Sequence, residues 1–199
     1  MTGIVLAGGV SRRLGADKAL LTLDGETFLA RAVRRLSELC QEVLISVRPG
    51  QVLPDAYGLR IVEDAAPGLG PLGGLAAGLA ASDDEWHLVL ACDLPAVRPE
   101  LLELLGARAS GVDAVVPHAH GRLQPLVAAY ARTCLEPAQA MLSSGRRAVA
   151  AMLEQVRVSV IEEHYLRAAD PDLVSFQNVN TWADYQAVLQ MGLGGARPP

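Results

Sequence analysis

Gly3-Ile4-Val5-Leu6-Ala7-Gly8-Gly9 stands near the start of the chain, and Ser11-Arg12-Arg13-Leu14-Gly15-Ala16-Asp17-Lys18 follows it. The short apolar run reads as a buried strand. The glycines behind it free backbone N–H groups to crowd around an anion, and a helix after such a loop adds its positive N-terminal end. Lys18 is the only lysine in 199 residues; the other sixteen of the 17 basic residues are arginines. Arginine supplies a rigid planar fork, whereas lysine supplies a compact point charge on a flexible stem. A chain this biased toward arginine that keeps lysine at this place points to a phosphate or polyphosphate ligand at the end of the first strand.

Outward from this segment, strand-length apolar runs recur at Gly3–Ala7, Val43–Val47, Leu59–Val62, Leu88–Ala91 and Ala114–Val116. Between the first two, Phe28, Leu29, Ala32, Val33, Leu36 and Leu39 repeat at helical spacing. Arg31, Arg34, Arg35 and Glu38 are assigned to the opposite, solvent face. Further helices are predicted at Leu72–Ala81, Pro99–Arg108 and Arg146–Gln155. The segment Gly121–Tyr130 is expected to cross the sheet, and Phe176–Asn180 to form a short strand or turn. Thr181 reads as the N-cap of a last helix, with Asp184 three residues on.

Alternating strands and helices imply an α/β fold: three Rossmann-like layers, a mostly parallel sheet with helices on both faces. Such sheets bind ligands at the carboxyl ends of their strands, where both the glycine loop and Asp93 fall. No internal repeat or dividing linker is present, so residues 1–191 are expected to form one domain and 192–199 a frayed Gly/Pro-rich tail.

The composition is 51% apolar and 20% charged, as in a folded globular chain. A net charge of −5 gives no support for nucleic-acid binding, so a polyanionic ligand has to be held by local cations, Arg12, Arg13 and Lys18. Three widely spaced cysteines without a CxxC suit a reduced cytoplasm and carry no zinc signature. With no signal-peptide pattern and no apolar run near the roughly 20 residues that span a bilayer, a cytoplasmic, membrane-free protein is expected.

Two common phosphate motifs fail. GxxxxGK[ST] is broken because Lys18 follows Gly15 by three and precedes Ala19, and GxGxxG is absent. The loop instead resembles the signature loop of small nucleotidyltransferases. Within that superfamily, the ordered set Glu63-Asp64, Gly70-Pro71-Leu72-Gly73-Gly74, Cys92-Asp93-Leu94-Pro95 and Asn178-Val179-Asn180-Thr181 resembles the molybdenum cofactor guanylyltransferases over about residues 3–190. The resemblance implies transfer of GMP from GTP to the terminal phosphate of molybdopterin, with loss of pyrophosphate. It implies Lys18 and Arg13 as catalytic groups beside Asp93, which would hold Mg²⁺, or Mn²⁺ in its place. It implies GTP contacts from Leu6, Ala7, Gly8, Gly9, Arg12, Lys18, Ser46, Asp64, Gly74 and Asp93; at Ser46 the family commonly has asparagine. Asn178 and Asn180 match a segment on the pterin side. Molybdenum insertion proteins and apo-molybdoenzymes are the implied protein partners.

Other readings stand beside these. Asp93 before Leu94-Pro95 is by itself equally a capping or turn residue. Cys92 is read as core rather than as a nucleophile. His118 and His120 are read as a solvated loop. The rival reactions are a CTP-dependent cofactor cytidylyltransferase, whose loop carries Leu-Ala-Ala-Gly, and a sugar-1-phosphate nucleotidyltransferase. A non-catalytic nucleotide-binding protein is the rival of a different class.

Overall fold

Every residue of β1 (Thr2–Leu6) is buried, which is what a strand covered on both faces requires. The computed structural model describes residues 1–8, 17–53 and 58–191; Gly9, Arg12, Arg13 and the 192–199 tail lie outside them. After β1 come a 3₁₀ turn at Lys18–Leu20, a small hairpin of β2 (Thr22–Leu23) and β3 (Glu26–Thr27), α1 (Phe28–Ser37), β4 (Glu42–Val47) and β5 (Arg60–Glu63). Then follow α2 (Gly70–Ala80), β6 (Trp86–Ala91), α3 (Pro99–Ala107), β7 (Ala114–Ala119), β8 (Arg122–Leu123) and β9 (Val127–Ala131). The chain continues through α4 (Leu135–Ser143), α5 (Val149–Leu153), β10 (Val158–Ile161), α6 (Glu163–Ala169) and α7 (Trp182–Gln190).

The main sheet runs β10-β7-β9-β6-β1-β4-β5, with β8 folded against the end of β7. β5, β4, β1 and β6 are parallel neighbours; β9 enters antiparallel to both β6 and β7, and β10 lies parallel to β7. Adjacent strand residues point to opposite faces, which assigns the helical layers. A Cβ on Gly3 would lie 3.0 Å from Leu36 of α1, whereas the next residue, Ile4, lies so close to α2 that a Cβ on Gly78 would meet its methyls at 2.7 Å. Helices α1 and α2 therefore cover opposite faces. α4 packs on α2, and α3 comes against Leu88, the register partner of Gly3 on the α1 face.

The expected α/β architecture is present, with four corrections. Arg31 is buried, because the unpredicted β2–β3 hairpin folds over α1. Its guanidinium donates to the Leu23 carbonyl at 3.0 Å and pairs with Asp24 and Glu26, each at 3.4 Å. The helix predicted over Arg146–Gln155 shortens to Val149–Leu153. The segment Gly121–Tyr130 does not cross the sheet: it makes β8 and most of β9, and β9 is buried throughout. Of the short strand or turn expected at Phe176–Asn180, the strand is not formed: Phe176 ends a 3₁₀ turn that begins at Val174, and non-repetitive chain follows. The predicted last helix is capped as expected: Thr181 Oγ1 accepts from Asp184 N at 3.2 Å, and the Asp184 carboxylate accepts from Thr181 N at 2.8 Å. Among the described residues, no helix is long and apolar enough to cross a membrane.

Candidate active site

The carboxyl ends of β1, β4 and β6 open into a cleft of about 370 Å³. Its walls include Leu6, Gly8, Lys18, Ser46, Asp64, Gly74 and Asp93, seven of the predicted positions, brought together from six separate segments of the chain. Ala7 stands behind them. It is fully buried, its N–H donates to the Ser46 carbonyl at 2.8 Å, and its carbonyl accepts from Gln51 Nε2 at 3.2 Å. A Cβ on Gly8 would come within 3.1 Å of the Arg48 backbone nitrogen, so only glycine lets the chain turn out of β1 beside β4 without a shift.

At one end of the cleft, Lys18 is 8% exposed and starts the 3₁₀ turn that Asp17 caps by accepting from Ala19 N at 3.1 Å. The Lys18 ammonium lies 3.0 Å from Asp93 Oδ2 and donates to Asn180 Oδ1 at 2.6 Å. Three segments more than seventy residues apart in pairs thus converge on one nitrogen. Val179 N donates to the Asp93 carbonyl at 2.9 Å, which ties the Asn178–Asn180 segment to the turn after β6. Asp93 Oδ1 is buried and has no hydrogen-bond partner among the described residues. An unpaired buried carboxylate oxygen is unfavourable by about 1–3 kcal/mol or more, and a bound cation would relieve it. Among the described residues, no three His, Cys, Asp or Glu side chains gather into a metal cage. A single carboxylate completed by phosphate and water oxygens is the set that Mg²⁺ prefers.

At the opposite end, Ser46 is the last residue but one of β4 and Asp64 follows β5, with Ser46 Oγ 3.4 Å from Asp64 Oδ1. Burial raises the Asp64 carboxyl to about 6, although the Ser46 hydroxyl works against the shift. Helix α2 presses against this pair: a Cβ on Gly74 would lie 2.7 Å from Ser46 Oγ, and one on Gly73 3.2 Å from Asp64 Oδ2. Glycine at these two positions lets the helix backbone come down to the carboxylate.

A second cleft, of about 180 Å³, opens on the other side of Leu126 and is lined by Leu94, Arg122, Gln124, Pro125 and Asn178 among others. The two sequence-predicted asparagines therefore part company: Asn180 contacts Lys18, and Asn178 lines the second cleft. Cys92 is core, as expected; it is 4% exposed and burial pushes its thiol above the usual range, so it stays neutral. His118 sits on β7 with its Nδ1 3.2 Å from Glu162 Oε2, which corrects the loop reading there, whereas His120 stands exposed in the turn after β7, as expected.

Sequence reasoning missed several groups around the first cleft. Gln51 Nε2 reaches Asp17 Oδ2 at 3.0 Å, the Arg48 guanidinium lies 3.9 Å from the same carboxylate, and Arg147 donates to the Gly68 carbonyl at 2.7 Å beside the mouth of the cleft. Arg48 follows the last residue of β4, so its place at a strand's carboxyl end was the available signal. Arg147 lies far away in sequence and carried none.

The sequence matches the MobA-like NTP transferase domain family over residues 3–160. It is 37% identical over 184 residues to the molybdenum cofactor guanylyltransferase of Desulfosudis oleivorans, covering 91% of this chain and 90% of that one. It is 39% identical to the probable molybdenum cofactor guanylyltransferase of Pelotomaculum thermopropionicum, over 92% and 89% of the two chains. Its fold is similar to the crystal structure of molybdopterin-guanine dinucleotide biosynthesis protein A from Archaeoglobus fulgidus, with a TM-score of 0.82, 28% identity, and 96% and 98% of the two chains covered.

Proposed function

The chain belongs to the MobA-like NTP transferase family, and on that premise we infer that it transfers GMP from GTP to the terminal phosphate of molybdopterin, releasing pyrophosphate. The observation that carries the reading is Lys18, held between Asp93 and Asn180 at the end of the first cleft that abuts the second.

In this reaction a phosphate oxygen of the acceptor forms the new bond to the α-phosphorus of GTP as the bond to the β-phosphate oxygen breaks. The attacking oxygen is already anionic at neutral pH, so no strong base is required. The barrier is charge repulsion and alignment, which fixed cations and amides lower. Lys18 offsets charge on the phosphates, and Asn180 and Asp93 hold its ammonium in place. Arg12 and Arg13 are assigned to the departing pyrophosphate, with Gly8 and Gly9 supplying backbone N–H groups. Leu6 and Ala7 support the nucleoside.

The family's chemistry takes a divalent metal. We assign it to Asp93 as Mg²⁺, with Mn²⁺ as substitute, where it supplies positive charge to the phosphates. The base is assigned to the Ser46–Asp64–Gly74 end. An ionised Asp64 accepts hydrogen bonds only, and guanine presents two adjacent donors, N1–H and the exocyclic amine. Cytosine offers one. Asn178 is assigned to the pterin and Asn180 to the junction of the two substrates. Molybdenum insertion proteins and apo-molybdoenzymes are proposed as the receivers of the product.

Pyrophosphate release with the molybdenum cofactor, Mg²⁺ and each of GTP, CTP, ATP and UTP in turn tests the reading. Release with GTP alone is expected. Release with CTP instead would move the chain to the cytidylyltransferases, and silence with all four would refute transfer to this acceptor.

A further inference from the structure

Lys18 opens a 3₁₀ turn of three residues, Lys18–Leu20, too short to hold its own orientation. The turn hangs from Asp17. The Asp17 carbonyl accepts from Leu20 N at 3.0 Å, and carboxylate oxygen Oδ1 accepts from Ala19 N at 3.1 Å. Where Asp17 stands therefore decides where the Lys18 ammonium can reach. Asp17 is itself fastened through its other oxygen: Oδ2 accepts from Gln51 Nε2 at 3.0 Å, with the Arg48 guanidinium farther off at 3.9 Å.

Gln51 comes from a different part of the chain, the run Arg48-Pro49-Gly50-Gln51 that leaves β4. Proline followed by a glycine at φ 72° fits a type II turn, and Gln51 N closes it by donating to the Arg48 carbonyl at 3.1 Å. The side chain folds back over the same turn, with Oε1 accepting from Arg48 N at 3.3 Å. The amide nitrogen has two hydrogens to place. One goes to Asp17 and the other to the Ala7 carbonyl at 3.2 Å.

Ala7 is the fixed end of this chain of contacts, fully buried and bonded through its N–H to the Ser46 carbonyl of β4. One buried side chain thus links the sheet to the turn that carries Lys18. The path runs from Ala7 through the Gln51 amide to Asp17, and on to an ammonium held by Asp93 and Asn180. Gln51 is buried and stands behind the residues that line the cleft.

We propose that Gln51 is a positioning residue of the transfer, referring Lys18 to the sheet so that its ammonium meets the phosphates at a fixed point. The inference rests on the guanylyl-transfer reading. Gln51 touches no substrate and acts through Lys18 alone. Without the amide, Asp17 Oδ2 and the Ala7 carbonyl lose their shared donor and the turn shifts. A misplacement on the order of 1 Å is enough to lower a rate about 10²-fold. An effect that runs through a second residue disappears once that residue is removed.

The test is steady-state pyrophosphate release at saturating GTP, with molybdenum cofactor freed from a molybdoenzyme as acceptor. Wild type, Gln51→Leu, Lys18→Met and the double variant are compared, the last two at high enzyme concentration. Gln51→Leu keeps roughly the side chain's volume and removes both donors. Its kcat is expected to fall by about 10–100-fold, while the acceptor KM stays at the wild-type value because other segments build the second cleft. In the Lys18→Met background the same change is expected to lower kcat no further. Gln51→Glu keeps the shape and the acceptor for Arg48 N but cannot donate when ionised. It should match Gln51→Leu, and replaces it if leucine unfolds the chain in a circular-dichroism melt. Wild-type kcat in the folded variant, beside an active wild type, overturns this inference alone. So do losses that multiply in the double variant, the mark of a purely structural role, and so does unfolding of both Gln51 variants. A wild type silent with GTP overturns the transfer reading and this inference with it.

Discussion

Toward β5 the sheet leaves β6 through β1 and β4, all parallel; toward β10 it passes through the antiparallel β9 to β7. On the first side, the cleft is shaped by backbone and small residues: Gly8 against β4, Gly73 and Gly74 against Asp64 and Ser46. On the second, side chains carried by a hairpin and by the turn before α7 make the surface: Arg122, Gln124 and Asn178. Nucleoside triphosphates differ only in the base and share the ribose and triphosphate, which tight backbone geometry suits. An acceptor varies, and side chains on a short inserted hairpin can change without disturbing the parallel half.

The largest expected effect breaks the seam between the two sides. Asp93→Ala is predicted to lower kcat by about 10³-fold or more, with an unfolding midpoint close to wild type because Asp93 lies at the cleft rather than in the core. Full turnover of this variant with Mg²⁺ would remove Asp93 from the mechanism. Asn180→Ala asks whether the second side reaches into the first through Lys18. A kcat lower by about tenfold is expected, since the ammonium loses the amide that positions it; wild-type kcat would make the two sides independent.

A smaller effect belongs wholly to the first side. Because the Asp64 carboxyl is held up at about 6, the fraction ionised falls about tenfold between roughly pH 7 and pH 5. The KM for GTP should rise by about that factor as pH drops, and Asp64→Asn should flatten the profile. A slope retained in Asp64→Asn would place the titration elsewhere.

The smallest effect sharpens the comparison at the boundary itself. His87 of β6 is fully buried opposite Tyr130 of β9, and burial lowers its pKa below the ordinary 6.5. The unfolded chain therefore takes up a proton near 6.5 that the folded chain refuses. Stability is lost as pH falls through that range and is intact above it. The urea midpoint should decline from about pH 7.5 to pH 5.5, and less so in His87→Gln; equal declines would exonerate His87.

The parallel half was legible because most of its strands are short apolar runs, and Val43–Val47 and Leu88–Ala91 need no partner to be recognised. Lys18, Asp64 and Asp93 were legible because they follow such runs. The antiparallel half was not. β9 (Val-Ala-Ala-Tyr-Ala) is buried on both faces yet lacks the bulky branched side chains that mark a strand. Arg31 was misjudged because a lone charge on a helix reads as solvated, and only the β2–β3 hairpin, five residues upstream, supplies the carbonyl and carboxylates that permit its burial. Asn178 and Asn180 part within non-repetitive chain that no periodicity announces.

The antiparallel insertion also bears on how the protein is made. β6 leaves the ribosome with β1 as its neighbour on one edge, and its other edge has no partner until Val127–Ala131 emerge. At the usual pace of synthesis that interval lasts about 2–8 s. For its duration an apolar strand, Trp86–Ala91, presents unpaired backbone groups to its surroundings. An open edge of this kind is a template for association with other chains. Variants that weaken β9 should therefore lower the yield of soluble protein before they alter its activity.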